Sequence, residues 1–287
     1  MKKLRALLTW LGLAASTVTG DVAAASSEPI LIVTPDAPVN LGYKVSWLAI
    51  KSDHSRAVLH ALGLQEPRPA NWASGIEAAY SHGEPGSAES LVFVSPPIEG
   101  WVLAVGSGLP VPDQRDPKTQ GAGEVDSRFD VLFAALAKQF SEVQFFSSYR
   151  VVGLAAWARA RAGRIERIFC FADGEVYANT GPQAAEEKTL RLLDLSGLSP
   201  LAARQAIFKN AEERNVQEER LVAGGMDRQA AQRKLLTSQR TPIPDEDDPM
   251  RVAAAWSLNP STLEERHLPP SVGTIGRLAA AKRSPGE

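Results

Sequence analysis

The sequence has a single cysteine among its 287 residues, so an internal disulfide bond is excluded. Cys170 lies in the apolar stretch Ile168–Phe171, where a free cysteine usually serves as a small buried hydrophobic residue. A reactive thiol needs a lowered pKa, and no histidine lies near Cys170 in the sequence. We therefore predict a structural role for this residue.

Histidine is also scarce, and its spacing does not suit a metal site. The four histidines are His54, His60, His82 and His267. A helical metal pair is spaced i, i+4, whereas the longer interval between His54 and His60 places them on different sides of a helix. Because transition-metal sites need clustered ligands, the sequence predicts no metal site.

Motifs for nucleotide binding and hydrolysis are absent as well. No P-loop and no G-x-S-x-G sequence occurs. Gly106-Ser107-Gly108 lacks the third glycine of a dinucleotide-binding turn. Ser52-Asp53-His54-Ser55 contains the residue types of a catalytic triad, but adjacent residues do not easily converge on one reacting atom, and a helix cap is favoured there. The sequence therefore predicts no cofactor and no catalytic residue.

The charges nearly cancel, with a formal net charge of −2. A nucleic-acid-binding domain is normally strongly basic, so nucleic acid is not a predicted partner, although a few basic residues fall in one helical segment: Arg228, Arg233, Lys234 and Arg240. The acidic run Asp245–Asp248 has neither the ligand spacing nor the central glycine of a calcium loop. We interpret it as a linker that ends in a helix cap.

The first 25 residues have the pattern of a secretory signal peptide. Basic residues at 2, 3 and 5 precede an apolar run over residues 6–15, and Ala23 and Ala25 fit a cleavage site before Ser26. The run is too short to span a bilayer, which takes about 20 residues. We therefore predict a periplasmic or secreted protein with no membrane span after cleavage. The alternative is a cytoplasmic protein whose start codon is misassigned.

One stretch is dense in strand-forming residues. Ser141–Gly181 begins with aromatic and β-branched residues, and an alternating pattern follows from Leu154. Ala162-Gly163 predicts a two-residue turn, although alanine at a positive φ is unfavourable. Asp173-Gly174 predicts a second reversal. The stretch is therefore predicted to form an antiparallel β-meander.

The residues before the meander predict further strands and helices. Tyr43–Lys51 has the composition of a strand, and a helix that ends at Gly63 follows it. Leu91–Val94 and Trp101–Val105 predict a hairpin. Apolar residues spaced i, i+3, i+4, i+7 and i+11 predict an amphipathic helix: Phe129, Leu132, Phe133, Leu136 and Phe140.

This order predicts an α+β fold. We expect an antiparallel sheet of about five to seven strands with helices on one face. Two arrangements fit: a split βαβ, ferredoxin-like topology extended by the meander, or a β–α core without that symmetry.

Composition divides the chain into five segments. Residues 1–25 are the predicted signal peptide, 26–42 an extended N-terminal segment and 43–181 the α+β domain. Residues 182–258 are rich in Ala, Gln, Glu and Arg, which predicts a helical C-terminal arm followed by a docking helix with Pro249 in its first turn. Residues 259–287 are rich in Pro, Gly and basic residues, which predicts a weakly ordered tail.

Five short segments share a pattern with a known group of proteins. They are Val45–Lys51, Val58–Leu64, Gly100–Leu103, Phe140–Val143 and Ala156–Arg159. Their order is a strand with Trp, a helix that ends in an Ala-Leu-Gly-Leu turn, a Gly-Trp strand, a helix and a Trp-containing hairpin. This order resembles a group of uncharacterised bacterial proteins over residues 43–181, and the resemblance implies no activity.

Basic residues cluster around the predicted Ala162-Gly163 turn. The predicted partner-binding residues are Trp157, Arg159, Arg161, Arg164 and Arg167. Arginine forms bidentate bonds with carboxylate and phosphate and is enriched in binding hot spots, so the cluster is a candidate surface for an acidic partner or an anionic ligand. The alternative is a solvated hairpin tip whose arginines pair with Glu142, Glu166 or Glu175.

These features predict a non-enzymatic, extracytoplasmic protein that binds a protein partner, in an immunity-like or envelope-complex role. The alternative is a hydrolase or transferase that uses carboxylates of the α+β domain, such as Glu77, Glu99 or Asp173. A concave pocket with converging polar groups would favour the enzyme. An apolar patch with an Arg and Trp rim would favour binding.

Overall fold

A computed structural model describes residues 28–81, 90–113, 128–238 and 243–278, and the predicted signal peptide lies outside them. The described strands are β1 (Val45–Lys51), β2 (Gln65–Asn71), β3 (Leu91–Val94), β4 (Trp101–Gly106), β5 (Glu142–Tyr149), β6 (Leu154–Arg161), β7 (Arg164–Ala172), β8 (Glu175–Thr180) and β9 (Val272–Arg277). The described α-helices are α1 (Ser55–Ala61), α2 (Trp72–Ser81), α3 (Arg128–Gln139), α4 (Ala185–Thr189), α5 (Pro200–Ala223), α6 (Arg228–Ser238) and α7 (Asp248–Trp256).

The described strands form one nine-stranded sheet in the order β2-β9-β3-β4-β1-β5-β6-β7-β8. Each neighbouring pair is antiparallel. The α+β class is therefore confirmed, with more strands than the five to seven expected. In a split βαβ unit the two strands joined by a helix are parallel but are separated by an antiparallel strand. The all-antiparallel order β3-β4-β1-β5 is therefore compatible with the split βαβ, ferredoxin-like arrangement expected from the sequence.

Three hairpins turn on pairs of residues with positive φ. The pairs are Glu99-Gly100, Ala162-Gly163 and Asp173-Gly174, with φ of 51° and 79°, 48° and 76°, and 51° and 74°. Positive φ at both central residues is the pattern of a type I′ turn, whose twist matches that of the flanking strands. The meander β5–β8 and its two predicted turns are therefore present in the structure.

Helices cover both faces of the sheet rather than the one face expected. One apolar cluster joins the sheet to α2, α5 and α7, and a second joins the opposite face to α1 and α3. Strand β1 shows why, because its residues Val45–Ile50 are all buried. A strand that is apolar on both sides needs cover on both sides.

A row of aromatic rings crosses four central strands on the first of these faces. The cross-strand partners are Trp47 with Phe146, Phe146 with Trp157, and Trp157 with Phe169. Ring centroids are 5.2 Å apart for the first pair and 4.6 Å apart for the last. Directly opposed aromatic residues stabilise neighbouring strands, so this row fixes the register of the central sheet.

The segment predicted as a weakly ordered tail differs most from expectation. Within residues 259–278 the chain forms β9, which is hydrogen-bonded to β2 on one side and to β3 on the other. The sequence of β9, VGTIGR, has two glycines, which weaken a strand signal. Its stability comes instead from two ladders to residues far away in the sequence.

The edge strand β2 is protected against pairing with a further strand. It contains Pro67 and Pro69, which have no N–H group to offer such a strand. The other edge strand, β8, packs against α5, whose Ala203 and Ile207 join the apolar cluster on one face of the sheet. Exposed pairing groups are therefore reduced along β2.

Candidate interaction surface

The five predicted partner-binding residues separate into a buried group and an exposed group. Trp157, Arg159 and Arg167 are only 3 %, 5 % and 3 % exposed, because α4 and the end of α7 cover this part of the sheet. Arg161 and Arg164 are exposed beside the β6–β7 turn. The surface that the predicted cluster offers to a partner is therefore limited to two of its five residues.

The buried group is organised around the carboxylate of Glu187 in α4. Glu187 Oε1 accepts hydrogen bonds from Trp157 Nε1 at 2.6 Å and from Arg167 Nε at 3.2 Å. Its Oε2 accepts the backbone N–H of Ala184 at 2.6 Å, at the start of α4. A buried charge must be paired and hydrogen-bonded to be tolerated, and Glu187 and Arg167 meet that requirement for each other.

Arg167 also ties the segment after the meander to the sheet. Its Nη1 donates to Asn179 Oδ1 at 2.8 Å and to the Thr180 carbonyl at 3.2 Å. Asn179 Nδ2 in turn donates to the carbonyls of Leu195 and Leu198, at 2.8 and 2.9 Å. Residues 182–198 are therefore held against the sheet by Arg167, Asn179 and Glu187 acting together.

Arg159 is paired at the rim of this network. Its Nη1 donates to Glu186 Oε1 at 3.2 Å, and its guanidinium lies 4.5 Å from the centroid of the Trp256 ring. Glu166 Oε2 lies 3.3 Å from Arg159 Nε and accepts a hydrogen bond from Arg161 Nε at 2.8 Å. The expected pairing of the arginines with glutamates is thus observed for Glu166, together with acids of α4 that the sequence did not indicate.

The same contacts shift the pKa of Glu186. Burial acts to raise the pKa of this carboxyl, but its backbone N–H and the hydrogen bond from Arg159 act in the opposite direction, and the pKa lies below its ordinary value. Folding therefore favours the ionised form of the Glu186 carboxyl.

The carboxylates considered for the enzyme alternative are not brought together. Glu99 lies in the β3–β4 turn and pairs with Arg266 at 2.6 Å. Asp173 lies in the β7–β8 turn, which the strand registers place at the opposite end of the sheet. Glu77 lies on α2. These three side chains therefore do not form an acid–base site with one another.

Four exposed apolar residues lie at one end of the sheet. We call them the apolar rim: Tyr43, Val151, Phe208 and Ile243, each between 36 % and 60 % exposed. They come from four separate segments of the chain. The rim lies where β1 begins, where β5 ends and where β7 turns into β8.

Several contacts place the rim residues at this end. The Tyr43 hydroxyl donates to Asp247 Oδ1 at 2.9 Å, and Asp173 N donates to the Val152 carbonyl at 2.8 Å. Phe208 packs beside Gly174 in the β7–β8 turn. Ser148 Oγ at the end of β5 donates to the Glu246 carbonyl at 3.1 Å, which brings the segment after Ile243 to the same place.

Three ion pairs lie at the same end of the sheet as the apolar rim. Arg150 pairs with Glu246 at 3.5 Å, Arg204 with Glu175 at 3.1 Å and Arg251 with Asp247 at 3.1 Å. Burial and the hydrogen bond to Asp247 raise the pKa of Tyr43 above its ordinary value, so its hydroxyl stays protonated and donating. Exposed apolar side chains with charged side chains nearby are common in protein–protein interfaces.

The helical arm, α5 and α6, extends this surface. α5 has 24 residues, of which only Ala203 and Ile207 are fully buried. Its remaining length packs mainly on α6, and Val216 and Leu236 are 44 % and 45 % exposed. The arm therefore presents apolar side chains that the body of the protein does not cover.

Sequence reasoning missed the rim because its members are isolated in the sequence. Tyr43 precedes a strand, Val151 follows one, Phe208 is within a helix, and Ile243 lies between prolines. Each residue alone is unremarkable, since single exposed apolar residues are common. Only the strand register shows that they share one end of the sheet.

Other kinds of site receive no support from the described ranges. Residues 28–81, 90–113, 128–238 and 243–278 contain no cluster of three or more potential metal-ligating His, Cys, Asp or Glu side chains. No helix in these ranges combines the length and apolar character needed to cross a membrane. A small depression between α3 and the sheet has an entirely apolar lining: Leu48, Leu109, Pro110, Phe129, Leu132, Phe133 and Phe145.

Comparison of the chain with family models, with curated proteins and with solved structures finds no match.

Proposed function

We propose that this protein acts outside the cytoplasm by binding a protein partner, in an immunity-like or envelope-complex role, and that it does so through the apolar rim and the helical arm. The observation that carries the proposal is the convergence of four exposed apolar residues from separate segments at one end of the sheet. Exposed apolar patches bounded by charged residues mark interaction sites on soluble proteins.

The dimensions of the arm support the same surface. At 1.5 Å per residue, the 24 residues of α5 extend over about 36 Å. The strand that α5 contacts, β8, has six residues and a length of about 20 Å. Contact with β8 therefore needs only part of the helix, and the rest, on the side that α6 leaves uncovered, is available for contact with another protein.

Side-chain chemistry also fits a protein partner. Tyr43 and Phe208 are aromatic residues, a type enriched in interface cores. Arg204 lies 5.3 Å from the Phe208 ring centroid, which holds the aromatic ring and the guanidinium together as one contact unit. Arg161 and Arg164, the exposed members of the predicted cluster, lie at the opposite end of the sheet and add a separate basic contact there.

The extracytoplasmic location rests on the signal-peptide pattern of the first 25 residues. Cell fractionation of the tagged full-length chain tests it directly. We expect a shortened protein in the periplasm or medium. A full-length, cytosolic product would contradict this part of the proposal.

Site-specific photo-crosslinking in the native host tests the surface. A photoreactive phenylalanine analogue replaces Val151 in the rim, Val216 in the arm or, as a matched control, Val131. Val131 is also an exposed valine, at 68 %, but it lies on α3 over the other face of the sheet. We expect one discrete adduct from positions 151 and 216 and none from position 131.

Charge substitutions complete the test. Val151→Asp should abolish the adduct formed from position 216, and Val216→Asp should abolish the adduct formed from position 151. Neither should change thermal stability, because exposed substitutions usually alter the free energy of unfolding by less than about 0.5 kcal/mol. Val131→Asp should leave the adducts formed from positions 151 and 216 unchanged. Equal adduct formation from all three positions, or from none, would overturn the assignment of this surface.

A further inference from the structure

β9 occupies a space that we call the β2–β3 channel. It is hydrogen-bonded to β2 through residues 272–277 and to β3 through residues 274–277. In the described sheet β2 has no strand neighbour other than β9. With β9 in place, the channel offers a strand a backbone ladder on each side and helix α2 above it.

The channel selects its occupant by size at two positions. A Cβ atom at Gly273 would lie 2.5 Å from the Phe93 ring and 2.7 Å from the Val94 carbonyl oxygen. At Gly276 it would lie 3.0 Å from Leu64 Cβ and 3.1 Å from the Gln65 carbonyl oxygen. Since Phe93 is fully buried, its ring has little freedom to move aside. Position 273 therefore requires glycine, whereas a Cβ at position 276 would require Leu64 and Gln65 to move by a few tenths of an ångström.

Other contacts select the remaining residues of the occupant. Ile275 is fully buried in the core below α2. Arg277 Nε lies 3.2 Å from Glu66 Oε2 at one end of the channel. At the other end Ser271 Oγ accepts a hydrogen bond from Trp72 Nε1 at 3.0 Å, and Ser271 N donates to the Asp36 carbonyl at 2.8 Å. The recognised pattern is thus Ser-x-Gly-x-Ile-Gly-Arg.

We infer that the β2–β3 channel is a sequence-selective strand-binding site, filled in the folded chain by its own residues 271–277, which also accepts this segment from a second copy of the chain. All the selecting contacts are made by residues 271–277 themselves. The exposed Pro269 and Pro270 that precede them only supply the connection. A strand from another copy therefore meets the same contacts, as in other cases of strand addition and segment exchange.

Covalent connection explains why the chain fills its own channel first. The link gives the segment a high effective concentration near the channel. Cutting the link removes this advantage and leaves the recognition contacts unchanged. The inference is independent of the proposed partner surface, which lies on other elements.

Peptide exchange tests the inference on the full chain. A protease recognition sequence is inserted between Pro269 and Pro270, and the purified, folded protein is cut there. Fluorescent peptides spanning residues 270–287 are then added, with one cycle of denaturation and refolding to allow exchange. The peptides carry the native sequence, Gly273→Ala or, as a control, Thr274→Ala, a half-buried position. Fluorescence anisotropy and native mass spectrometry measure the bound peptide.

We expect the native peptide to replace the cut fragment in a one-to-one complex, and the Thr274→Ala peptide to bind almost as well. The Gly273→Ala peptide should bind at least about fivefold more weakly, because overpacking a buried site costs at least about 1 kcal/mol. Equal binding of the glycine and alanine peptides would overturn the size selection. A fragment that no peptide replaces after refolding would overturn exchange between copies.

Discussion

The two sides of the sheet are built in opposite ways. On one side, β5–β8 follow one another in sequence, and β6, β7 and β8 are joined by two-residue turns. On the other side, β9 enters between β2 and β3, so that Leu91 pairs with Arg277. The first side closes short loops, whereas the second must bring distant segments together at a greater entropic cost. We therefore expect the meander to be the cooperative centre of the fold and the β2–β9–β3 side to open first.

The largest expected effect comes from Glu187→Ala, which tests whether the meander depends on α4. The substitution leaves Arg167 buried without its ionic partner, and breaking a buried pair costs about 3–5 kcal/mol. Urea denaturation should show this loss, with faster hydrogen exchange in residues 182–198. Glu187→Gln keeps an acceptor for Trp157 and should lose less. A loss below about 1 kcal/mol for the alanine variant would show that the Glu187–Arg167 pair contributes no more than an exposed ion pair does.

A matched pair of substitutions tests whether the β2–β9–β3 side of the sheet opens more easily than the meander. Ile168 in β7 and Ile275 in β9 are both buried, and Ile→Ala at such sites costs about 2–5 kcal/mol. In the Ile168→Ala variant we expect hydrogen exchange to accelerate throughout the sheet. In the Ile275→Ala variant we expect acceleration mainly in β2 and β9, since partial opening proceeds through the least stable unit. The same pattern in both variants would contradict the proposed difference between the two sides.

A smaller effect is expected at the turn between β6 and β7. Ala162 has a φ of 48°, which is unfavourable for alanine, whereas Asn followed by Gly is preferred in this turn type. Ala162→Asn should therefore raise the free energy of unfolding by about 0.5–1 kcal/mol. Gly163→Ala, which places a Cβ at a φ of 76°, should lower it. If neither variant changes the melting temperature, the turn does not contribute to the stability of the meander.

The smallest effect concerns pH. The pKa of Glu186 is lowered from 4.5 in the folded state, so its carboxylate stabilises the fold above about pH 4.5, and this contribution is lost as the pH falls through the folded pKa. The difference in unfolding free energy between the wild type and Glu186→Gln should therefore shrink below that pH. A difference that stays constant across the acidic range would show that the charge of Glu186 is not involved.

Elements whose structure depends on residues close together in the sequence were predicted most accurately. The meander follows from strand composition and from the dipeptides Ala162-Gly163 and Asp173-Gly174, and helix α3 follows from its apolar spacing. The position of β9 could not be predicted, because its two glycines make the segment look unstructured and its partners lie in a distant part of the chain.

The candidate surface was predictable only in part. The basic cluster near the turn is visible in the sequence, but the burial of Arg159 and Arg167 depends on where α4 lies, and no local pattern indicates that position. The apolar rim depends on the strand register in the same way. Register is a property of pairing between segments rather than of any one segment.

The prolines of β2 bear on how the protein behaves at high concentration. Pro67 and Pro69 deprive the outer side of this strand of two N–H donors, and a β-sheet grows from one molecule to the next only where such donors are free. Stacking of copies side by side into a fibre is therefore blocked along this strand. The two prolines that make β2 a poor template for aggregation also leave it, within the described sheet, with a neighbouring strand on one side only, so β2 is held in the sheet by its pairing with β9.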